Sequence, residues 1–320
     1  MRILMTGASG FIGTHFVNRA QSERCLSAIL NCDIVGPKLS GHQRFWKYCD
    51  VLDRERLRLL IREFAPTHLV HMAARTDLNG KAIEDYAVNT VGIENLLAAL
   101  ECTTSVVRAV FVSSQYVIGP GPLADDDCAC RPHTIYGMSK CIMEKRIREA
   151  ALPFSWVIVR PTNIWGPWHP RYAKEFWFTL RQGWYFHPSG APVRRAYGYV
   201  GNVVEQMWQL LTISSESTNK QTYYVGDPVD DLKEWVTAFS LAIRGSKPRV
   251  IPRPVLRTIA FIGDIIRMTG CSFPLFTSRY QSMTTEYWVD MSKTYALLGR
   301  PKYSLKDGVA ITMQWLNQQW

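Results

Sequence analysis

The residue pair best suited to chemistry is a tyrosine and a lysine four positions apart, Tyr136 and Lys140. If this spacing lies on a helix, both side chains share one face. A nearby ammonium group favours the ionised form of a phenol and so lowers its pKa. A tyrosine tuned in this way can move a proton near neutral pH. The pattern is short, so its meaning depends on the rest of the chain.

A glycine-rich segment near the start of the chain supplies part of that context. Gly7, Gly10 and Gly13 lie between a predicted strand and a predicted helix, with Ser9, Phe11 and Ile12 among them. Glycines allow a tight turn and a close approach to a pyrophosphate, to which a helix N-terminus offers amide donors. The alternative is a turn that needs glycine only for helix–sheet packing.

An acidic residue follows at the position where a dinucleotide ribose would lie. Asp33 closes the second predicted strand, about twenty residues after the last glycine. A carboxylate there would bond a ribose hydroxyl and repel a 2′-phosphate, so NAD is favoured over NADP. A plain turn residue is the alternative.

Apolar runs alternate with amphipathic stretches through the first half of the chain. The predicted strands are 2–6, 27–33, 67–72, 106–113 and 154–160, and the predicted helices are 11–20, 54–64, 83–100, 135–150 and 305–315. This alternation predicts an α/β fold with a Rossmann-type doubly wound parallel sheet. We expect a dinucleotide-binding domain over residues 1–165. Residues 166–320 should form mainly a smaller C-terminal substrate lobe, with some segments returning to the sheet.

The composition gives little support to a nucleic-acid-binding, membrane-spanning, secreted or metal-binding protein. The net charge is +10, but its lysines and arginines form no dense run, which gives little support to nucleic-acid binding. No apolar stretch is long enough to span a bilayer, and no signal peptide is recognisable at the start. The eight cysteines are scattered without metal-type spacing, so we expect no metal site and a cytoplasmic protein with reduced thiols.

Taken together, these motifs resemble the extended short-chain dehydrogenase/reductase family, which includes UDP-galactose 4-epimerase and other nucleotide-sugar enzymes. The similarity is strong to about residue 205 and looser beyond it. It implies that the glycine turn holds the NAD pyrophosphate and that Asp33 binds its ribose. It further implies that Asp50 and Val51 touch adenine. The loop lining the cofactor would contain Met72, Ala73 and Ala74.

The same resemblance assigns roles at the reacting centre. Tyr136 would be the general acid/base, and Lys140 would bind the nicotinamide ribose and tune Tyr136. Ser114, rather than Ser113, would hydrogen-bond the reacting sugar oxygen, although a serine at a strand end can also simply cap the next turn. Asn89 matches a family asparagine whose role is more structural than chemical.

Two segments point to the substrate. Asn163 and Arg195 resemble the family residues that contact the substrate diphosphate. A guanidinium can bind phosphate oxygens with two hydrogen bonds, which suits this role. A solvated surface arginine is an equally open interpretation of Arg195.

The chain also departs from the family pattern. Gly201 and Asn202 replace a frequent acid pair, and Ile118 replaces the usual tyrosine before Gly119. Sugar 4,6-dehydratases carry an Asp-Glu pair where this chain has Gln115-Tyr116. Elimination of water needs an acid and a base, so a dehydratase is the least favoured family chemistry.

The sequence therefore predicts an NAD-dependent epimerase or oxidoreductase acting on a carbinol or keto carbon of a nucleotide-sugar, with a slight preference for epimerase. The alternatives are a keto-reductase, a dehydrogenase of a sterol-like or flavonoid-like hydroxyl compound, and a catalytically silent NAD-binding sensor or scaffold. By analogy alone, the helices over 83–100 and 135–150 predict a homodimer.

Overall fold

A computed structural model describes residues 1–101, 103–123, 126–214 and 216–320. The strands are β1 (Arg2–Thr6), β2 (Ala28–Asp33), β3 (Trp46–Tyr48), β4 (His68–His71), β5 (Arg108–Val112), β6 (Ser155–Pro161), β7 (Asn163–Trp165), β8 (Phe186–Pro188), β9 (Arg194–Arg195), β10 (Tyr197–Tyr199), β11 (Gln221–Val225), β12 (Asp230–Asp231) and β13 (Arg249–Ile251). The helices are α1 (Phe11–Gln21), α2 (Arg54–Phe64), α3 (Ala87–Glu101), α4 (Ile135–Glu149), α5 (Phe176–Arg181), α6 (Val200–Thr212), α7 (Leu232–Arg244), α8 (Arg253–Met268), α9 (Thr277–Thr284), α10 (Ser292–Leu298) and α11 (Leu305–Leu316). Short 3-10 helices cover Ser40–Phe45, Ile83–Tyr86 and Gln115–Val117.

The main sheet has seven strands in the order β11-β6-β5-β4-β1-β2-β3, and every neighbouring pair is parallel. From β3 to β6 this is the doubly wound Rossmann order, whose direction reverses between β1 and β4. The predicted α/β fold class is confirmed. Because ligands of such sheets bind at the carboxyl ends of the strands near the reversal, the fold directs attention to the ends of β1, β4 and β5.

Both faces of the sheet are covered, which explains the continuous apolar runs of its strands. Along β1, Ile3 and Met5 pack into a core layer that also contains Phe16 of α1. Leu4 points to the opposite layer, where it joins Leu57 of α2.

The start of one predicted helix and one edge strand of the main sheet differ from the sequence prediction. The helix expected over 83–100 begins as a 3-10 turn, and α3 itself starts at Ala87. The Asp85 carboxylate accepts hydrogen bonds from the backbone amides of Lys81 and Ala82, which closes the tighter turn. Strand β3 was not predicted, because three residues at a sheet edge carry too little hydrophobic pattern.

The second half of the chain contributes to the main sheet and also forms short strands and helices outside that sheet, from β7 onward, which are called the second lobe below. Strand β11 pairs with β6, and helix α6 packs against α1. The lobe centres on aromatic rings that contact one another, namely Trp165, Trp177, Trp235 and Phe239. A domain boundary at residue 165 stays a prediction.

A buried carboxylate fixes helix α4 against the sheet. Glu144 is 2% exposed and accepts two hydrogen bonds from the Arg160 guanidinium on β6, at 2.8 and 2.7 Å. Its Oε1 also accepts a bond of 2.6 Å from Ser113 Oγ, and its Oε2 accepts one of 3.1 Å from Arg148. Helix α4 is thereby tied to the ends of β5 and β6 at a defined position.

Replacing this carboxylate should destabilise the protein strongly. We expect Glu144→Ala to lower the free energy of unfolding by about 3–5 kcal/mol, because Arg160 would be left as an uncompensated buried charge. Glu149→Ala, on the exposed end of the same helix, is the matched control and should cost less than about 1 kcal/mol. Urea unfolding followed by circular dichroism measures both; similar small losses for the two variants would contradict the prediction.

Candidate active site

The glycine turn has the geometry that its spacing predicts. Gly7 has φ of +71°, and a Cβ atom there would lie 2.5 Å from the Ala73 backbone nitrogen. At Gly13 a Cβ would lie 2.3 Å from the Ala8 Cα. At Gly10 a Cβ would meet only the Gly7 carbonyl oxygen, at 3.2 Å. Gly7 and Gly13 thus permit close packing of the chain, whereas the side of Gly10 is open to a ligand.

The open side faces the N-terminus of α1. Gly10 is the N-cap and has no side chain to cap the helix, so its first turn, which contains Phe11, Ile12 and Gly13, lacks a side-chain cap from that position. The amides of such a turn form a ready site for a phosphate. The turn is held in place from β2, since Asn31 accepts a bond from the Ala8 amide and donates one to Ser9 Oγ.

Asp33 lies beside this turn, at the carboxyl end of β2. Its Oδ2 accepts a hydrogen bond of 3.0 Å from the Ser9 amide, and its Oδ1 accepts one of 3.1 Å from the Val35 amide. These bonds hold a half-buried carboxylate at the place where a ribose-binding acid is expected.

The other residues predicted to touch the cofactor lie at the same edge of the sheet. Asp50 follows β3 and accepts a bond from the Leu52 amide, and the buried Val51 lies against Gly92 of α3. The amide of Met72 donates to the Thr6 carbonyl, and that of Ala73 donates to Thr6 Oγ1. Ala74 follows them and is half-buried.

Tyr136 and Lys140 lie on the first two turns of α4, which Thr134 caps by accepting a bond from the Gly137 amide. Both side chains are buried. The Lys140 ammonium donates a 2.9 Å bond to the carbonyl oxygen of Val112, the last residue of β5. Ser114 follows two positions later, so the sheet edge brings the three predicted catalytic residues together.

The electrostatics differ from the sequence expectation. Burial raises the pKa of Tyr136 to about 12, while a hydrogen bond from the Ser114 side chain acts in the opposite direction. Burial also lowers the pKa of Lys140 to about 8, against the charge of Glu144, which raises it. Desolvation raises the tyrosine pKa, and Lys140 is not among the groups that shift it, so the lowering expected from the ammonium is not found here.

Aromatic rings surround Tyr136, and sequence reasoning missed most of them. Its ring centroid lies 6.1 Å from that of Tyr86 and 5.7 Å from that of Tyr116. Tyr287, from the C-terminal half, lies 5.8 Å from Tyr116 and donates hydrogen bonds to the carbonyls of Gln115 and Ile118. No motif marks Tyr287, because only the fold brings it to this end of β5.

Asn89 connects the surrounding elements, as expected of a structural residue. Its side chain exchanges two hydrogen bonds with the backbone of Arg75 and donates a third to Ser139 Oγ. Ser139 in turn donates to the carbonyl of Tyr136. The loop after β4, helix α3 and helix α4 are thereby joined at the site.

Asn163 and Arg195 lie in the second lobe. Asn163 begins β7 and is half-buried, and its side-chain amide donates to the Ala196 carbonyl at 3.3 Å. Arg195 is half-buried as well and donates from Nη1 to the Thr285 carbonyl at 3.1 Å. Its buried Nε has no hydrogen-bond partner among the described residues, and its guanidinium carbon lies 5.9 Å from the Tyr287 ring centre.

Arg195 lines a cavity of about 770 Å³ between α5, α7, α8 and α9. Most of its walls are aromatic or aliphatic, with Arg171, Arg195 and Arg279 as the cationic members. Tyr136 and Ser114 do not line this cavity. The contacts from Arg195 to Tyr287, Tyr116 and then Tyr136 connect its wall with the predicted reacting centre.

The sequence predicts neither a metal site nor a membrane span. Within the described ranges, no three His, Cys, Asp or Glu side chains are grouped in a way that could hold a metal ion. No helix there is long and apolar enough to cross a membrane.

Comparisons with known proteins identify relatives of this chain and structures of the same fold. The chain is 27% identical to the N-acetyl-α-D-glucosaminyl-diphospho-ditrans,octacis-undecaprenol 4-epimerase of Escherichia coli O157:H7. The alignment covers 98% of this chain and 94% of that relative. It is 22% identical to the human dTDP-D-glucose 4,6-dehydratase over 100% of its length and 91% of that protein. The crystal structure of the Thermus thermophilus UDP-glucose 4-epimerase in complex with NAD superposes with a TM-score of 0.73, at 25% identity and 99% coverage of both chains.

The family model described as "NAD dependent epimerase/dehydratase family" matches residues 3–226, which span all seven strands of the main sheet up to the end of β11. This match includes the glycine turn, Asp33 and the Tyr136–Lys140 pair. The chain belongs to the NAD-dependent epimerase/dehydratase family.

Proposed function

We propose that the protein is an NAD-dependent epimerase that inverts a carbinol carbon of a sugar carried on a diphosphate, with a nucleotide-sugar as the first candidate substrate. The observation that carries this proposal is the meeting of Ser114, Tyr136 and Lys140 at the carboxyl end of β5. A reductase of the corresponding keto-sugar shares the first half of this chemistry and is the closest alternative.

The residues divide the work in the following way. Tyr136 acts from its tyrosinate form: it takes the proton of the sugar hydroxyl as the carbon is oxidised, becoming a neutral phenol, and returns that proton when the carbon is reduced. Ser114 hydrogen-bonds the same oxygen and orients it. The Lys140 ammonium favours the tyrosinate, against the burial that raises the pKa of Tyr136. NAD, when bound, supplies the hydride acceptor and then the hydride donor.

The residues present fit this cofactor. The open side of Gly10 and the uncapped first turn of α1 suit a pyrophosphate. The Asp33 carboxylate suits a ribose diol and opposes a 2′-phosphate, which supports NAD over NADP.

Dehydration finds less support. The position of the dehydratase acid pair holds Gln115, whose side-chain atoms are buried without a hydrogen-bond partner among the described residues, and Tyr116. Neither is a carboxylate able to shuttle a proton at neutral pH. The similarity to a 4,6-dehydratase therefore supports the shared oxidation step rather than the elimination.

The substrate diphosphate would lie near Arg195. Its unpartnered Nε and its place on the cavity wall favour a ligand-binding arginine over a solvated one. Asn163, which is also half-buried, is proposed to contact the same group.

A second candidate carrier is a polyprenyl diphosphate. The E. coli relative acts on a sugar linked to diphospho-undecaprenol and aligns with 98% of this chain. The mostly apolar cavity next to Arg195 suits isoprenoid units as well as it suits a nucleoside.

A homodimer through α3 and α4 and a cytoplasmic location stay predictions. Both helices present apolar side chains to solvent, Val91 and Met138, at 45% and 48% exposure. Such residues suit a helix-to-helix contact between two copies.

Tyr136→Phe should abolish the proton transfer. We expect turnover to fall by about 10² to 10⁴, since the phenol oxygen is the acid/base. Tyr116→Phe, whose ring lies beside Tyr136, is the matched control and should retain most of the activity. The assay is interconversion of sugar epimers, with nucleotide-linked and polyprenyl-linked sugars tested in parallel. Equal turnover by wild type and Tyr136→Phe would refute the assignment, and no turnover by either with any sugar would favour a silent NAD-binding protein.

Asp33→Asn should relax the cofactor preference. Without the carboxylate, the ratio of NADP to NAD affinity should rise at least about tenfold, because the like-charge repulsion is gone. Asp50→Asn is the comparison, since an acid near adenine would affect both cofactors alike. Calorimetric titration of cofactor-free protein gives the two affinities. An unchanged ratio in Asp33→Asn would show that this residue does not face the ribose.

Arg195→Ala and Arg194→Ala form a matched pair on adjacent positions. Arg194 is exposed, bonds Glu286 and covers Trp288, so its loss should leave kinetics nearly unchanged. Loss of Arg195 should raise KM about tenfold to a hundredfold, the worth of a charged hydrogen bond to phosphate. Steady-state kinetics on the same substrate panel decides. If KM were unchanged in both variants, Arg195 would be a solvated surface arginine that does not bind the substrate.

A further inference from the structure

Helix α8 has two apolar faces, and only one of them is used inside the protein. Leu256, Ala260 and Gly263 form the inner face and are buried. At Gly263 the packing is so close that a Cβ would lie 1.9 Å from the Leu275 carbonyl oxygen. A helix on the surface of a globular protein normally has one apolar face, directed to the core, and a polar face opposite it.

The outer face of α8 is exposed. It consists of Val255, Phe261, Ile262, Ile265 and Met268, at exposures from 47% for Ile262 to 87% for Met268. Their spacing of three and four residues sets them on one stripe, in which Thr258 is the polar member. A contiguous apolar stripe of this kind marks a surface that binds a partner.

The charges around this stripe indicate the kind of partner. From Gly245 to Thr285 the sequence has one acidic residue, Asp264, whose carboxylate accepts a bond from the Thr277 amide at the start of α9. The same stretch has six basic residues. Two of them are half-buried and engaged within the protein, since Arg253 donates to the Ser189 and Ala191 carbonyls and Arg279 pairs with Glu175. The other four are exposed, namely Lys247, Arg249, Arg257 and Arg267. A second copy docked through this face would bring two such positive segments together. An anionic surface complements both the charge and the apolar stripe.

We propose that the outer face of α8 docks on an anionic lipid bilayer, with its apolar side chains in the interface and the arginines over the headgroups. The position of α8 gives this contact a use. Ile259 of α8 and the segment 273–276 that follows the helix both line the cavity of Arg195. A docked α8 would therefore place the cavity wall against the membrane, where the sugar of a lipid-linked diphosphate is presented. The link to substrate rests on the proposed function, whereas the docking itself does not.

The test is sedimentation of the whole 320-residue chain with vesicles. Equal parts of phosphatidylglycerol and phosphatidylcholine should bind the protein, phosphatidylcholine alone should bind it weakly, and high salt should reduce the anionic binding. Phe261→Ser with Ile265→Ser should weaken binding on the order of tenfold per residue. Leu241→Ser with Val107→Ser removes two apolar side chains of similar exposure elsewhere and should leave binding unchanged. Arg249→Gln with Arg257→Gln should remove the preference for the anionic vesicles.

Several results would overturn the proposal. These are absence of wild-type binding to anionic vesicles, equal loss in the Leu241 and Val107 control, and binding that the α8 substitutions do not change. A smaller sedimentation mass of the α8 variant in solution would show instead that a second copy covers the face. Thermal unfolding confirms that each variant is folded. Turnover of a water-soluble nucleotide-sugar separates the two proposals. If the protein turns over this substrate but does not bind vesicles, only the docking proposal is refuted. If it binds vesicles but turns over no sugar, only the proposed function is refuted.

Discussion

The candidate site depends on one buried carboxylate, that of Glu144. It lies four residues beyond Lys140 and eight beyond Tyr136, on the face of α4 that meets the sheet. Its bonds to Ser113 and Arg160 set the depth and rotation of the helix against the ends of β5 and β6. The same charge raises the pKa of Lys140 against the effect of burial. Without Glu144, the bonds that hold α4 at the ends of β5 and β6 would be lost.

The residues proposed to hold the cofactor are positioned by close backbone packing, whereas Tyr136 and Lys140 are positioned by the buried charge of Glu144. At Gly7 the chain after β1 runs so near the Ala73 backbone that no side chain fits between them. This approach brings the loop after β4 beside the glycine turn, at the reversal of strand order where doubly wound folds bind ligands. The Glu144 carboxylate thus positions Tyr136 and Lys140, and Gly7 positions the glycine turn beside the loop after β4, at the same edge of the sheet.

The sequence was most informative where a function requires a local pattern. The glycine turn, Asp33 and the Tyr136–Lys140 spacing each lie within a single element or turn, so a motif could reveal them. Tyr287 and Arg160 reach the site only through tertiary packing, and nothing near them in sequence marks their role. Glu144 could have been noticed from its spacing, since it lies four residues after Lys140 on the same helix face. An acid on a face that packs against the sheet must be buried and paired with a basic group. The pKa of Tyr136 could not be foreseen, since it depends on how completely the folded protein excludes water.

The two lobes carry different kinds of information about the substrate. The sheet edge carries the proposed chemistry, because a hydroxyl, a phenol and an ammonium lie together at the carboxyl end of β5. The cavity beside Arg195 would select an anionic group at the wall formed by this arginine. Its other walls are mostly aromatic or aliphatic and would accept a nucleoside or an isoprenoid alike. A water-soluble carrier would give no reason for an apolar stripe on α8, the helix that supplies Ile259 to the cavity wall. A carrier anchored in a membrane gives that stripe a role, and it does so without changing any step at Tyr136.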